Sequence, residues 1–458
     1  MNKEQVLETL ESMGETINEI NQAIWHNPEV AGNEETSANL YRKALQENGF
    51  TIVETEGMPH AFYGEYGSGS PVIAVLGEYD ALPGLSQEVD VTYKPVTPEG
   101  PGHGCGHNLL GAAPFGAALA IKKYLETTGK PGTIRYYGCP EEETLVGKVK
   151  MIKAGAFEGC DLALSWHPMT VNAPIQNAFL ALDSMKFRFK GISAHAGQSP
   201  ESGRSALDAV ELMNVGANYL REHVIEKARI HYTITNAGGA PNIIPKDAES
   251  WYFVRAPRRK DVEDISARLL NVAKGAALMT DTQVEMEVLG GCYEYLPNQV
   301  LLELTQQNMS EVALPTYTEE EQQLAASLQQ TVDQQQVALE RRKYLSDTAE
   351  ETTMYEGAMT IEEGKKVAVS GSSDSGDVSW IMPMNFFLGA AWPLGITNHS
   401  WQATAAAGSS LGTKSMMYAA RVFTGMMYDL LNDTSLVASA KAEFMERTAS
   451  QPYSSPLG

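Results

Sequence analysis

Apolar positions recur at helical spacing over Lys3 to Ile24 and again over Glu34 to Asn48, with Leu10, Ile17 and Ile24 among the inward positions. The pattern then changes. Pro71 to Leu76 (PVIAVL) is a continuous apolar run, which predicts a strand covered on both faces. Thr133 to Tyr137, Asp161 to Ser165 and Asn385 to Ala390 predict further strands, and Leu109 to Leu125 a helix with Asn108 as its N-cap. Each strand runs into residues with chemistry: Gly77 to Asp80 (GEYD), Gly138 to Glu143 (GCPEEE), Ser165 to Pro168 (SWHP) and Asn398 to Gln402 (NHSWQ). Polar groups after successive strand ends are what an open α/β sheet presents at its carboxyl edge.

Between residues 184 and 291 the period differs. Ser184 to Lys190 sets Met185, Phe187 and Phe189 against Lys186, Arg188 and Lys190, the alternation of a half-exposed strand. A helix follows with Leu207, Val210, Met213, Ala217 and Leu220 on one face. Strands at Ile230 to Thr235 and Ala248 to Arg255 come next. Val262, Ile265, Leu269, Val272 and Ala276 mark a second helix, and Val284, Met286 and Val288 a last strand. This βαββαβ order predicts a ferredoxin-like domain over 184–291, inserted into a larger domain made of 1–183 and 292–458. Thr316 to Glu363 is rich in Gln and Glu and predicts a solvated helical insertion, and Pro452 to Gly458 a loose tail.

A chain of 458 residues accommodates two such domains. Its 34 Lys and Arg against 57 Asp and Glu give a net charge of −23, which repels phosphate backbones and anionic lipid and so excludes nucleic acid and membrane surfaces as partners. The opening MNKEQVLETLESMG has no apolar centre, so no signal peptide is expected, and no apolar run reaches the length of a membrane span. Cys105, Cys139, Cys160 and Cys292 are sparse and irregularly spaced, which predicts free thiols in a reducing cytoplasm.

The densest chemistry is GHGCGHNLLG, residues 102–111. Cys105 and His107 offer a thiolate and an imidazole two residues apart, both preferred ligands of divalent metals. Adjacent glutamates at Glu141, Glu142 and Glu143 suit hydrolysis, because one can ligate while its neighbour carries a proton between water and the leaving nitrogen. His167 and His399 follow further strands. The order Cys-x-His, Glu-Glu, His, His is a ligand set for two metals with a carboxylate to spare, and its mixed donors admit zinc, manganese, cobalt or nickel. His103 reads as a structural residue. In the inserted domain, His195 lies in GISAHAGQSP (191–200) and Asn242 in GGAPNIIP (238–245). Asn242 and Arg255 are donors suited to a carbonyl oxygen and a carboxylate.

Together GEYDALPG, GHGCGHNLLG, GCPEEE, SWHP, GISAHAG, GGAPNIIP, SSDSGDVSW and NHSWQ resemble, over nearly the whole chain, the metallopeptidase and amidohydrolase superfamily of carboxypeptidase G and aminoacylase. Within it the likeness is to the B-type subunits of p-aminobenzoyl-glutamate hydrolases. The resemblance implies an α/β, two-metal aminopeptidase-like catalytic domain whose largely parallel sheet is flanked by helices. It implies that the inserted ferredoxin-like α+β domain is a lid that also dimerises. Cys105, His107, Glu143, His167 and His399 would ligate two divalent ions, Mn2+ or Zn2+, and Glu142 would be the general base and acid. His195 would reach the site of a partner copy to stabilise the oxyanion. Asn242 and Arg255 would hold substrate, and Asp80 and Asp377 would support the ligands from behind. The implied reaction is cleavage of an N-acyl amino acid amide, p-aminobenzoyl-glutamate or a related aryl- or acyl-glutamate, by a homodimer. A dipeptidase with the same metals and a non-catalytic member of a hetero-oligomeric hydrolase are the alternatives. Two departures stand out: many members carry His-x-Asp where this chain has Glu78 and Asp80, and Asn108 replaces the Asp that follows Cys-Gly-His. The triple glutamate is read with Glu142 as base because GKVKM then falls at the expected distance downstream; Glu141 is the next choice.

Overall fold

Eleven strands order the described residues, which are 1–177, 179–345, 352–367 and 371–458 of a computed structural model. They are β1 Thr51–Glu54, β2 Phe62–Ser68, β3 Val72–Glu78, β4 Gly132–Cys139, β5 Leu162–Met169, β6 Ala173–Pro174, β7 Ala181–Lys190, β8 Arg229–Asn236, β9 Asp247–Ala256, β10 Gln283–Cys292 and β11 Met384–Ala390. The chain divides into two units: Met1–Ala178 with Leu296–Val369 and Val378–Tyr453, and Phe179–Tyr295 with Ser370–Asp377 and Ser454–Gly458.

The first unit is built on a seven-stranded sheet in the order β1-β2-β4-β3-β5-β11-β6. Strands β4, β3, β5 and β11 run parallel, but the pairings of β1 with β2, β2 with β4 and β6 with β11 are antiparallel, so the sheet is mixed rather than largely parallel. Connection length explains the β1–β2 pair: residues 55–61 can turn the chain back, whereas a parallel pairing needs a crossover of about a dozen residues or more. Strand β3 is buried along nearly its whole length, as a continuous apolar run requires. Strand β5 extends through Met169, pairing with β11 as far as Ala390, so His167 lies within a strand and not beyond its end.

The helix His107–Thr128 packs behind this sheet and is buried on almost every side. Its N-cap is Gly106, not Asn108, because the chain enters through a left-handed turn (φ 76°) where a Cβ would lie 3.0 Å from Pro168. Asn108 lies inside the first turn, donating to Asn21 Oδ1 (2.7 Å) and the Ala407 carbonyl (3.2 Å). Pro114 cannot donate to the Leu110 carbonyl, and that oxygen instead accepts the Trp166 indole N–H at 3.1 Å. The interruption thereby fastens β5, next to His167, to the helix that begins at His107.

The helical spacing over 3–24 resolves into two helices, Lys3–Ser12 and Gly14–His26, parting where Gly14 weakens the run. Residues 319–344 form helices Glu319–Gln330 and Gln334–Tyr344, capped by Thr318 and Asp333. They are less solvated than their composition suggests, since Ala325, Leu328 and Val337 are buried. Residues 346–351 of that insertion lie outside the described residues.

The second unit has an antiparallel sheet in the order β10-β7-β9-β8, the 4-1-3-2 arrangement of a ferredoxin-like βαββαβ unit. Helices Ala206–Leu220 and Arg259–Thr280 bury Met185, Phe187, Phe189, Tyr252 and Val254. The polar alternation of β7 faces away, where Arg188 pairs with Glu249 (2.6 Å) and Glu287 (2.5 Å). This unit begins before residue 184 and ends after 291: Asp183 pairs with Arg259 at 2.6 Å and accepts the Ser266 hydroxyl. The tail is fastened in part, the Ser454 N–H donating to the Tyr293 hydroxyl.

Candidate metal centre

Five segments of the first unit converge. The end of β3 supplies Glu78 and Asp80, and the loop into the buried helix supplies Cys105 and His107. A short helical turn after β4, Glu142–Thr144, supplies Glu142 and Glu143, β5 supplies His167, and the loop after β11 supplies His399. Three positions here are held in costly backbone. Glu141 (φ 61°) and Leu145 (φ 60°) bracket the glutamate turn, and His399 itself is left-handed (φ 61°), with its N–H bonded to the Gly104 carbonyl at 2.9 Å. Such conformations cost about 1–2 kcal/mol each and persist where function requires them.

The donor atoms of Cys105, His107 and His167 lie within 4.8 Å of one another, as do those of Cys105, Glu143 and His399. The Cys105 sulfur belongs to both groups. A third group joins Glu78, His107 and Glu142. Within them Cys105 Sγ is 3.4 Å from His167 Nε2, and His399 Nε2 is 3.5 Å from Glu143 Oε2.

The imidazoles of His107 and His167 are both oriented by their other nitrogen. His107 Nδ1 contacts the Asp80 carbonyl and its Oδ1, each at 2.9 Å, and His167 Nδ1 contacts the Pro168 carbonyl at 2.8 Å. With the proton drawn to Nδ1, each Nε2 presents a lone pair inward, the arrangement of a metal ligand. His107 Nε2 and Glu143 Oε1 are buried and make no hydrogen bond among the described residues, which fits a donor set made to hold a cation. Asp80 spans the centre, its other oxygen accepting the Glu143 N–H at 2.8 Å.

Burial sets the proton affinities. It brings His167 down to about 4, pushes the Cys105 thiol up, and raises Glu143 to about 7. Burial also works against charge on His107, but the Cys105 sulfur and the Asp80 carboxylate outweigh it and raise that group well above its ordinary value. A bound cation would reverse this at Cys105, Glu143 and His107, drawing their protons off and freeing the His107 Nε2 lone pair.

Cys105, His107, Glu142, Glu143, His167 and His399 are thus brought together, with Asp80 behind them. Glu141 is turned outward to Lys150 Nζ at 2.5 Å. His103 is buried against the Ile24 carbonyl. His195, Asn242, Arg255 and Asp377 lie in the second unit. His195 is exposed, and its Nδ1 accepts the N–H groups of Gly197 (3.2 Å) and Gln198 (3.1 Å), so the ring proton sits on Nε2 as an outward donor. The Ala196 N–H bonds to the Asn242 carbonyl, which sets the two loops side by side. Asp377 accepts the Tyr293 N–H at 3.0 Å.

Three residues at the centre were not singled out by sequence reasoning as site residues. Glu78 appears there only as a departure from His-x-Asp. Lys148 is wholly buried with its ammonium 2.6 Å from Glu78 Oε1. Glu34, also buried, accepts the Glu141 N–H at 2.8 Å and is raised to about 7 by burial and by Asp80.

The pattern of peptidase family M20/M25/M40 matches residues 74–399. The B-type subunit of the p-aminobenzoyl-glutamate hydrolase of Escherichia coli (strain K12) is 40% identical over 463 aligned positions, covering 98% of this chain and 96% of the relative. An Xaa-Arg dipeptidase of Mus musculus is 27% identical, covering 96% of this chain and 92% of its own. A crystal structure of a Bacillus subtilis dinuclear metal binding peptidase from the M20 family shares the fold, with a TM-score of 0.60 over 92% of this chain and 99% of that one at 16% identity.

Proposed function

Since the chain belongs to peptidase family M20/M25/M40, we propose that its centre cleaves the amide bond of p-aminobenzoyl-glutamate or a related aryl- or acyl-glutamate. The observation that carries the reading is the Cys105 sulfur shared by two three-donor groups. His107 and His167 complete one, Glu143 and His399 the other, so a bridging thiolate would serve two divalent cations, Mn2+ or Zn2+. The charges agree. Glu78, Asp80, Glu142, Glu143 and a Cys105 thiolate, offset by the Lys148 ammonium, leave four negative charges for two dications. When bound, such ions polarise the scissile carbonyl and bring the acidity of water toward neutrality.

Glu142 is the base in this reading: it takes the water's proton and returns it to the leaving nitrogen. Asp80 holds the His107 ring and the Glu143 backbone. Replacing it with Asn should weaken metal binding by about 10- to 100-fold, the range for partners that orient ligands, while circular dichroism stays unchanged. Undiminished affinity in a metal titration would count against that role.

The ferredoxin-like unit is proposed as lid and dimerisation domain. His195 would donate from Nε2 to the developing oxyanion in a partner copy, and Asn242 and Arg255 would bind the carbonyl and carboxylate of the glutamate. His195→Ala should lower turnover by about 10²- to 10³-fold, the usual worth of one such donor. Mixing His195→Ala with Glu142→Gln protomers should restore activity, since one site per mixed dimer would then hold both residues. Confirmed protomer exchange with no recovery would sink the role across the dimer. The four cysteines are free thiols, which fits a reducing cytoplasm.

The deciding assay follows p-aminobenzoate release by purified protein loaded with Mn2+ or Zn2+. A kcat/KM for p-aminobenzoyl-glutamate above that for Xaa-Arg dipeptides supports the reading, and the reverse order replaces it with a dipeptidase. The 40% identical relative is named as one of the subunits of a hydrolase, so the same assay with and without a second, related chain tests whether this one suffices.

A further inference from the structure

We propose that Glu78 is a direct ligand of the cation held by His107, positioned for that task by the buried ammonium of Lys148. The inference rests on the metal centre proposed above and adds a residue to it. Glu78 closes β3 and is 2% exposed. Its Oε1 lies 2.6 Å from Lys148 Nζ, and its Oε2 lies 3.4 Å from His107 Nε2, the buried imidazole nitrogen that makes no hydrogen bond among the described residues.

The spacing is diagnostic. Two donors each about 2.0–2.1 Å from one tetrahedral ion lie about 3.3–3.4 Å apart. Glu78 Oε2 and His107 Nε2 meet that separation, whereas Glu142 Oε2 stands off at 3.8 Å from the same nitrogen. Glu78 is therefore the carboxylate that better fits tetrahedral sharing of the ion, and Glu142 the one farther off, nearer the position proton transfer asks for. The assignment also balances the two halves of the centre. Glu143 supplies a carboxylate beside His399, and Glu78 supplies one beside His107, which is itself grouped with His167 and the shared thiolate. Lys148 fixes the rotamer: by engaging Oε1 from one side it leaves Oε2 directed at His107. An ammonium with no exposure at all, on a helix otherwise carrying Lys150 and Lys153, has this carboxylate as an ion-pair partner.

Cation binding tests the proposal. Wild-type protein, stripped and titrated with Co2+, should bind two ions. Glu78→Gln should bind the second at least tenfold more weakly and leave the thiolate-to-cobalt absorption of the first in place. Because Glu78→Gln also strands the Lys148 charge, the double variant Glu78→Gln/Lys148→Met is measured alongside. If Glu78 ligates, the double variant stays deficient at the second ion. If Glu78 only neutralises Lys148, the double variant regains wild-type affinity and the proposal is wrong. A crystal structure of the Zn2+-loaded protein should place an ion about 2.0–2.2 Å from Glu78 Oε2; an ion on His107 and His167 with that oxygen beyond about 3 Å, outside ligand range, overturns it. Failure of the wild type itself to bind two ions would instead strike the proposed function.

Discussion

Glu142→Gln should lower kcat by about a hundredfold at least, within the 10²- to 10⁴-fold range for a lost acid–base group, and leave the metal content unchanged. Glutamine keeps the shape and the hydrogen-bonding reach of the side chain but cannot hold the proton that must pass from water to nitrogen. Several observations single out Glu142 within the triple glutamate. Glu141 points outward to Lys150 and is partly exposed, where an ion pair is worth little. Glu143 faces His399 at 3.5 Å, at ligand spacing. Glu142 is 7% exposed and stands 3.8 Å from His107, close to the cluster but wider than the tetrahedral spacing that Glu78 meets at 3.4 Å. Glu143→Gln should accordingly reduce metal occupancy, and Glu141→Gln should be close to wild type in both. Turnover and bound metal, measured together on the three variants, separate these roles. An active Glu142→Gln beside a dead Glu141→Gln would move the base by one residue.

The parts of the centre legible in the sequence were those carried by local pattern. An apolar run that gives way to donor residues marks a strand end, and β3 and β4 each end that way, while His399 follows β11 only after a loop. The alternation of Met185, Phe187 and Phe189 likewise announced a sheet with one wet face, which β7 bears out. Features that depend on distant pairing were not legible. The antiparallel edges of the main sheet follow from how β2 meets β4, a contact between segments about seventy residues apart. Asn108 looked like a cap because Asn often caps helices; Gly106 took the position because the entry turn is left-handed. Lys148 reads as an ordinary helical lysine until β3 is seen to place Glu78 against it. Glu34, at the start of another helix, reaches Glu141 only through the fold.

Cys105→Ala should weaken binding of both cations, an effect no other single ligand should produce. His167 belongs to one three-donor group and His399 to the other, while the Cys105 sulfur belongs to both. His167→Ala and His399→Ala should each weaken one ion and spare the other, and Cys105→Ala should weaken both by more than the roughly 10- to 100-fold that loss of an orienting partner costs. Metal content of the three variants reads this directly, and Co2+ loading adds a second signal, since thiolate-to-cobalt absorption should vanish only in Cys105→Ala. Alkylation is the poorer probe, because the sulfur is 6% exposed and burial pushes its thiol up, which slows reaction even without metal. Stability supplies an independent check. An ion present at a hundredfold its Kd stabilises the fold by about 2.7 kcal/mol, so chelation should destabilise the wild type by about that much per ion and leave Cys105→Ala unmoved. Two tightly held ions in Cys105→Ala would show that the thiolate is not the bridge, and the centre would then be held by its imidazoles and carboxylates alone.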